Sequence, residues 1–120
     1  MPVLRAVRGA TVVPEDTSEA IRDATAELLR EVLERNGLAP ADLVSIIFTA
    51  THDLVADFPA VAAREIGLGQ VPLLCANEIP VSGSMPRCIR VMVHCYVPED
   101  RRIRHVYLHE ARALRMDLPE

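Results

Sequence analysis

The chain has 120 residues and is expected to form one domain, with no room for a second of ordinary size. Half of its residues are apolar but only four are aromatic, Phe48, Phe58, Tyr96 and Tyr107, so the core must come from Val, Leu, Ile and Ala. Acids outnumber bases 17 to 13, which leaves a nucleic-acid binder little overall attraction to use, and the basic residues are all arginine, which excludes lysine Schiff-base chemistry.

Residues 3–13 are rich in β-branched side chains and stop at Pro14, the pattern of a first strand. Asp16-Thr17-Ser18-Glu19 then offers a helix start, with Asp16 as the cap and an acid three residues on. Ile21, Ala24, Leu28 and Val32 share one side of that helix, widened by Leu29 and Leu33, and Gly37 supplies its left-handed stop. Residues 43–50 read as a buried strand. Phe58-Pro59 opens a short helix through Ile66 that Gly67 ends. A third strand is predicted from Val71 to Ile79, a loop over Ser82 to Pro86, a long fourth strand from Cys88 to Val97, and a last strand near Arg104 to Glu110. The order βαβαβββ predicts a mixed sheet in an α/β domain.

The fourth strand has two unlike faces. Ile89, Val91, Val93, Cys95 and Val97 form an apolar side that can meet the helix. Cys88, Arg90, Met92, His94 and Tyr96 form the other, too apolar for open water yet carrying an arginine in its middle. The first strand repeats this with Leu4, Ala6, Arg8, Ala10 and Val12. One long helix cannot cover both sides of such a sheet, so a second copy of the chain is the simplest cover for the far face.

No stretch approaches the roughly 18 to 20 apolar residues that span a bilayer, and Met1-Pro2-Val3-Leu4-Arg5 lacks the apolar run of a signal peptide, so no membrane partner and a cytoplasmic location are expected. Cys75, Cys88 and Cys95 have no metal-type spacing. Cys88 and Cys95 face opposite sides of one predicted strand and cannot pair, which points to reduced thiols. There is no Gly-rich phosphate loop and no GxSxG elbow. His105 and His109 would share a strand face without companion ligands, and read as surface or interface histidines. Arg101, Arg102 and Arg104 read as a solvated loop, with no nucleic-acid partner expected.

Arg8 and Arg90 sit mid-strand among apolar neighbours, where an arginine cannot be buried unpaired. Two readings stand: a salt bridge to a carboxylate across an interface, or a pocket for an anion whose carboxylates the guanidinium forks would grip. Taken alone, Glu78 reads as a solvated strand-end acid and Tyr107 as a half-buried core ring with its hydroxyl in water.

Six segments together carry a resemblance: Arg5-x-x-Arg8-Gly9-Ala10-Thr11; Phe58-Pro59-Ala60 with Arg64-Glu65; Cys75-x-x-Glu78; Cys88-Ile89-Arg90-Val91-Met92; Ile103-Arg104-His105-Val106-Tyr107-Leu108; and Leu114-Arg115. In order and spacing, from about residue 4 to 118, the chain resembles the monofunctional, trimeric AroH-type chorismate mutases. The resemblance implies an α/β fold of the α+β type, a mixed β-sheet covered on one face by one long and one short helix, with three copies forming a pseudo-α/β-barrel. It also implies conversion of chorismate to prephenate by an intramolecular Claisen rearrangement, in phenylalanine and tyrosine biosynthesis, with no cofactor and no metal. Such a reaction needs the flexible arm of a dicarboxylate held over its ring and fixed positive charge at the ether oxygen whose C–O bond breaks.

By the same resemblance, Arg90 reaches the ether oxygen and a carboxylate, Arg8 holds the side-chain carboxylate with help from the Tyr107 hydroxyl, and Glu78 accepts a hydrogen bond from the ring hydroxyl. Cys75 is a polar contact, and Leu74, Cys75, Ala76 and Asn77 supply backbone around the ligand. Phe58, Leu114, Arg64 and Arg115 form walls and mouth, in a homotrimer whose sites lie between subunits. Val61 and Leu74 depart from the family pattern, which has lysine and threonine there in some relatives, and the stretch between Arg64 and Cys75 is a residue shorter. The net negative charge does not oppose a dianionic substrate, because it is screened beyond a Debye length of ~8 Å and the local arginines decide. Two other readings fit the residues: an imine or enamine deaminase on a related trimeric fold, with Glu78 orienting water, and a non-catalytic trimer that binds a small carboxylate.

Overall fold

Thr17, one residue after the expected cap, starts the long helix α1 (Ser18–Asn36): its side chain accepts from the Ala20 amide at 3.1 Å. Asp16 is engaged elsewhere, its Oδ1 accepting from the amides of Val55 and Ala56 at 3.0 and 3.1 Å. Gly37 ends the helix in the left-handed region at φ 60°, with the Leu38 amide bonded back to the Leu33 carbonyl. The buried side is Ile21, Thr25, Leu28, Leu29, Val32 and Asn36. This computed structural model describes residues 1–115, the side chain of Arg115 excepted.

Five strands follow the predicted order: β1 (Pro2–Val12), β2 (Leu43–Ala50), β3 (Leu73–Asn77), β4 (Cys88–Pro98) and β5 (Val106–Tyr107), with a second helix, α2 (Ala60–Glu65), between β2 and β3. They form one mixed sheet ordered β3-β2-β4-β1-β5. The pairs β1–β4 and β2–β4 run antiparallel, and β2–β3 and β1–β5 run parallel. Both helices lie on one face. Val7, Ile46, Phe48, Val91, Val93, Cys95 and Val97 pack there against Leu28, Leu29, Val32 and Ala63. Each large side chain fully buried in this layer stabilises the fold by roughly 1.5 to 3 kcal/mol. The two faces predicted for the fourth strand are both present: the odd-numbered side is buried, while Arg90, Met92 and His94 are half-buried and Tyr96 is exposed.

The last strand is much shorter than expected. Asn36 captures the backbone of Arg104 from both sides, its Oδ1 accepting from the Arg104 amide and its Nδ2 donating to the Arg104 carbonyl, at 2.8 and 2.9 Å. His105 Nδ1 accepts from the Arg8 amide at 3.0 Å. Side chains therefore take backbone groups that a longer β5 would have paired with β1. His109, at φ 55°, then turns the chain into a 3₁₀ helix over His109–Arg115. His105 and His109 consequently do not share a strand face, and His109 Nε2 lies 2.9 Å from Glu27 Oε1 on α1. The third strand is also shorter than expected, beginning after Pro72, although the Glu78 amide still bonds to the Ala50 carbonyl just past its end.

Candidate active site

Cross-strand register assembles the uncovered face of the sheet. Arg90 on β4 stands opposite Ala10 on β1 and Thr49 on β2; Thr49 is opposite Ala76 on β3, and Ala10 opposite Tyr107 on β5. One row across all five strands thus reads Ala76, Thr49, Arg90, Ala10, Tyr107. The next row reads Leu74, Ile47, Met92, Arg8. Residues separated by dozens of positions become neighbours because directly opposed side chains in a ladder share a face.

Glu78 follows β3 on the same alternation as Leu74 and Ala76. Its carboxylate meets the row from the end: Oε2 accepts from Thr49 Oγ1 at 2.5 Å and lies 3.0 Å from Arg90 Nε. The Arg90 side chain remains 42% exposed and that of Glu78 only 18%. The buried Nε makes no hydrogen bond, so the contact is an ion pair whose N–H is not aimed at the oxygen. Among the described residues, no other carboxylate forms a salt bridge with Arg90 and none with Arg8. Arg90 therefore finds an acid within its own chain and keeps part of its side chain open.

Cys88 sits beside Arg90 at the covered end of this face, with Ala10, Tyr107 and Ala111, and Leu114 packs against them. The 3₁₀ turn thus covers one end of the face that the sequence left bare. Tyr107 is only 6% exposed, deeper than a half-buried ring with its hydroxyl in water. Burial raises the Cys88 thiol above its ordinary range although the Arg90 charge pulls the other way. Burial does the same to Cys95, helped by Asp42. Neither is a thiolate nucleophile near neutral pH.

Other predicted residues gather elsewhere. Cys75 is paired with Phe48, so its side chain turns to the helix side and packs against the core. It lines a cavity of about 450 Å³ with Phe58, Ala76 and Asn77. Phe58 is 67% exposed at its rim, and Arg64, on α2, is exposed. Within one chain the structure does not bring the Cys75 and Glu78 side chains together, nor Phe58 and Arg90. A smaller hollow of about 260 Å³ lies beside Glu78, lined by Thr51, Asp53 and the loop from Ile79 to Pro86. The side chain of Arg115 lies outside the described residues. Among those described, no group of three or more His, Cys, Asp or Glu side chains is arranged to hold a metal ion.

Two supporting residues, Thr49 and Asp57, escaped the sequence reading, and a third, Asp16, was read there only as a helix cap. Thr49 would be suspected only from the β2–β4 register, which the sequence does not state. Asp16 and Asp57 hold the Phe58 loop to α1, Asp57 accepting from Ser18 Oγ at 2.6 Å and from the Phe58 amide at 2.7 Å. The Ser18 hydroxyl and then the Phe58 amide keep the Asp57 carboxyl below its usual range. No helix among the described residues is long and apolar enough to cross a membrane.

A family model described as chorismate mutase type I matches residues 4–118. The chain is 54% identical over 119 residues to chorismate mutase AroH of Thermus thermophilus, covering 97% of each. It is 46% identical over 119 residues to chorismate mutase AroH of Bacillus subtilis (strain 168), covering 97% of this chain and 93% of the other. A solved structure of a chorismate mutase from Clostridium thermocellum matches with a TM-score of 0.88 and 49% identity, covering 91% of this chain and 98% of that one.

Proposed function

The chain belongs to the chorismate mutase type I family, and we propose that the Arg90 row on the open sheet face is where it acts. The enzyme is an isomerase that converts chorismate to prephenate on the way to phenylalanine and tyrosine. The comparisons lend no support to the deaminase or to the non-catalytic carboxylate binder.

The Claisen rearrangement breaks a C–O bond and forms a C–C bond within one molecule. No nucleophile attacks and no proton is transferred, so a protein accelerates it by posture and by charge. Arg90 supplies the charge: its guanidinium donates to the ether oxygen, which becomes more negative as the C–O bond lengthens, and to a neighbouring carboxylate. Glu78 accepts the hydrogen bond of the ring hydroxyl, which orients the ring. Arg8, in the adjoining row, grips the side-chain carboxylate, and that grip folds the arm over the ring. Tyr107 and Leu114 back this end of the pocket. The observation that carries this reading is Arg90 itself, ion-paired with Glu78 and its side chain still 42% exposed on an apolar face.

The remaining residues belong to a second half-site. Phe58, Arg64 and the Leu74–Asn77 backbone come to Arg90 from a neighbouring copy, in a homotrimer whose sheets face a central pseudo-barrel. Two observations support this. Leu4, Leu74 and Tyr96 are exposed on the open face, with Ile47 and Met92 half-buried between them, and such a patch needs a partner surface. The Phe58 cavity also opens on the other side of the sheet from Arg90. One domain over the whole chain and a cytoplasmic location complete the reading, the latter fitting three free thiols.

The test follows chorismate absorbance with purified protein and with Arg90→Ala. Loss of one preorganised donor should lower turnover about 100- to 1000-fold, or ~3 to 4 kcal/mol, with assembly unchanged. Near-parental turnover in that variant would remove Arg90 from the mechanism.

A further inference from the structure

We propose that Thr49 is a positioning residue: its hydroxyl anchors one oxygen of Glu78 and so prevents Arg90 and Glu78 from closing into a two-pronged pair that would consume the donors and the acceptor meant for substrate. The inference rests on the reading that Arg90 and Glu78 touch chorismate.

Thr49 stands directly opposite Arg90 in the β2–β4 ladder. Its Oγ1 donates to Glu78 Oε2 at 2.5 Å, the same oxygen that lies 3.0 Å from Arg90 Nε. The Glu78 backbone is fixed as well, its amide donating to the carbonyl of Ala50, the residue after Thr49, at 3.0 Å. Glu78 is therefore held at two points by consecutive residues of one strand. A β-branched side chain has few χ1 states, so the hydroxyl is held firmly in place.

An arginine and a carboxylate left to themselves favour parallel N–H···O bonds that use both oxygens and two guanidinium nitrogens. Here a single oxygen takes both the hydroxyl and the ion pair, and Arg90 Nε makes no aligned hydrogen bond. No hydrogen bond to Oε1 is found among the described residues. That leaves an acceptor for a ring hydroxyl and guanidinium donors for an anion side by side. Valine at position 49 would keep the shape of the side chain and remove only the donor.

The experiment compares Thr49→Val and Thr49→Ser, each alone and in a Glu78→Ala background, by chorismate turnover and by calorimetric binding of prephenate to the intact assembly. Thr49→Val should lower kcat/KM and prephenate affinity about tenfold or more, the scale of a hydrogen bond to a charged group. Thr49→Ser, which keeps the hydroxyl, should restore both. In the Glu78→Ala background Thr49→Val should add nothing, because Thr49 acts through that carboxylate, whereas a packing role would cost the same in either background. Parental behaviour of Thr49→Val beside an inactive Arg90→Ala would overturn the inference alone. An active Arg90→Ala would overturn the reading on which it stands.

Discussion

An arginine in the middle of a β-strand has to meet a counter-charge or water, and Arg90 meets some of each. Arginine stays charged across the accessible pH range, and burial holds the adjacent Cys88 thiol protonated. The rearrangement itself transfers no proton. Turnover should accordingly be nearly flat from about pH 6 to 9 and unchanged in heavy water. A bell-shaped profile with a large solvent isotope effect would place a general acid or base in the mechanism. Arg8 and Arg90 were legible in the sequence because a charge among Val, Met and Ala contradicts its surroundings. Glu78 took its role from family resemblance, since an acid at a strand end is ordinary. Thr49 was not legible at all: threonine in a strand is unremarked until the register sets it beside Arg90.

At the scale of elements, the site depends on how closely its strands and helix approach. A Cβ added at Gly9 would lie 3.1 Å from Leu28 Cδ1, 3.1 Å from Val91 Cγ2 and 3.2 Å from the Val106 carbonyl oxygen. The side chains can shift, but the carbonyl belongs to β5, which carries Tyr107. Gly9→Ala should therefore destabilise the fold by about 1 to 3 kcal/mol, the usual cost of overpacking, as read from the urea midpoint. The loop anchors make a separate prediction. For Asp53, burial alone would raise the carboxyl, but the Thr51 hydroxyl and the Arg87 amide outweigh it, so Asp53, like Asp57, titrates below the usual aspartate range. A depressed folded-state pKa contributes stability above the unfolded value of ~3.9 and loses it as pH falls through the folded value. The urea midpoint should hold down to about pH 5 and decline below about pH 4, and Asp57→Asn should shallow that decline. The long helix and its sheet were readable from periodicity and from Gly37. The brevity of β5 was not, because it depends on Asn36 reaching across to Arg104.

For the molecule as a whole, the decisive feature is that the Arg90 row and the Phe58 cavity lie on different sides of one sheet. The sequence led to the expectation of a partner, as one helix cannot cover both faces, but it did not reveal this separation of Arg90 from Phe58. It depends on the alternation that turns Cys75 away from Glu78 and on the loop that carries Phe58 around the edge. Heterologous contacts closing into a ring would place the Arg90 half of each subunit against the Phe58 half of the next. That arrangement predicts complementation. Arg90→Ala removes one half-site, and Phe58→Asp, on an exposed loop position, sets a negative charge where the dianion must enter. Each variant alone should be nearly inactive. Unfolded together and refolded as a mixture, the chains should form some seams with two intact halves, about one in four for random assembly. Turnover near a quarter of the parent in the mixture, from two inactive components, is the expected result. No recovery from trimers shown by native mass spectrometry to contain both chains would mean that each chain carries its whole site, and the open face would then need another explanation.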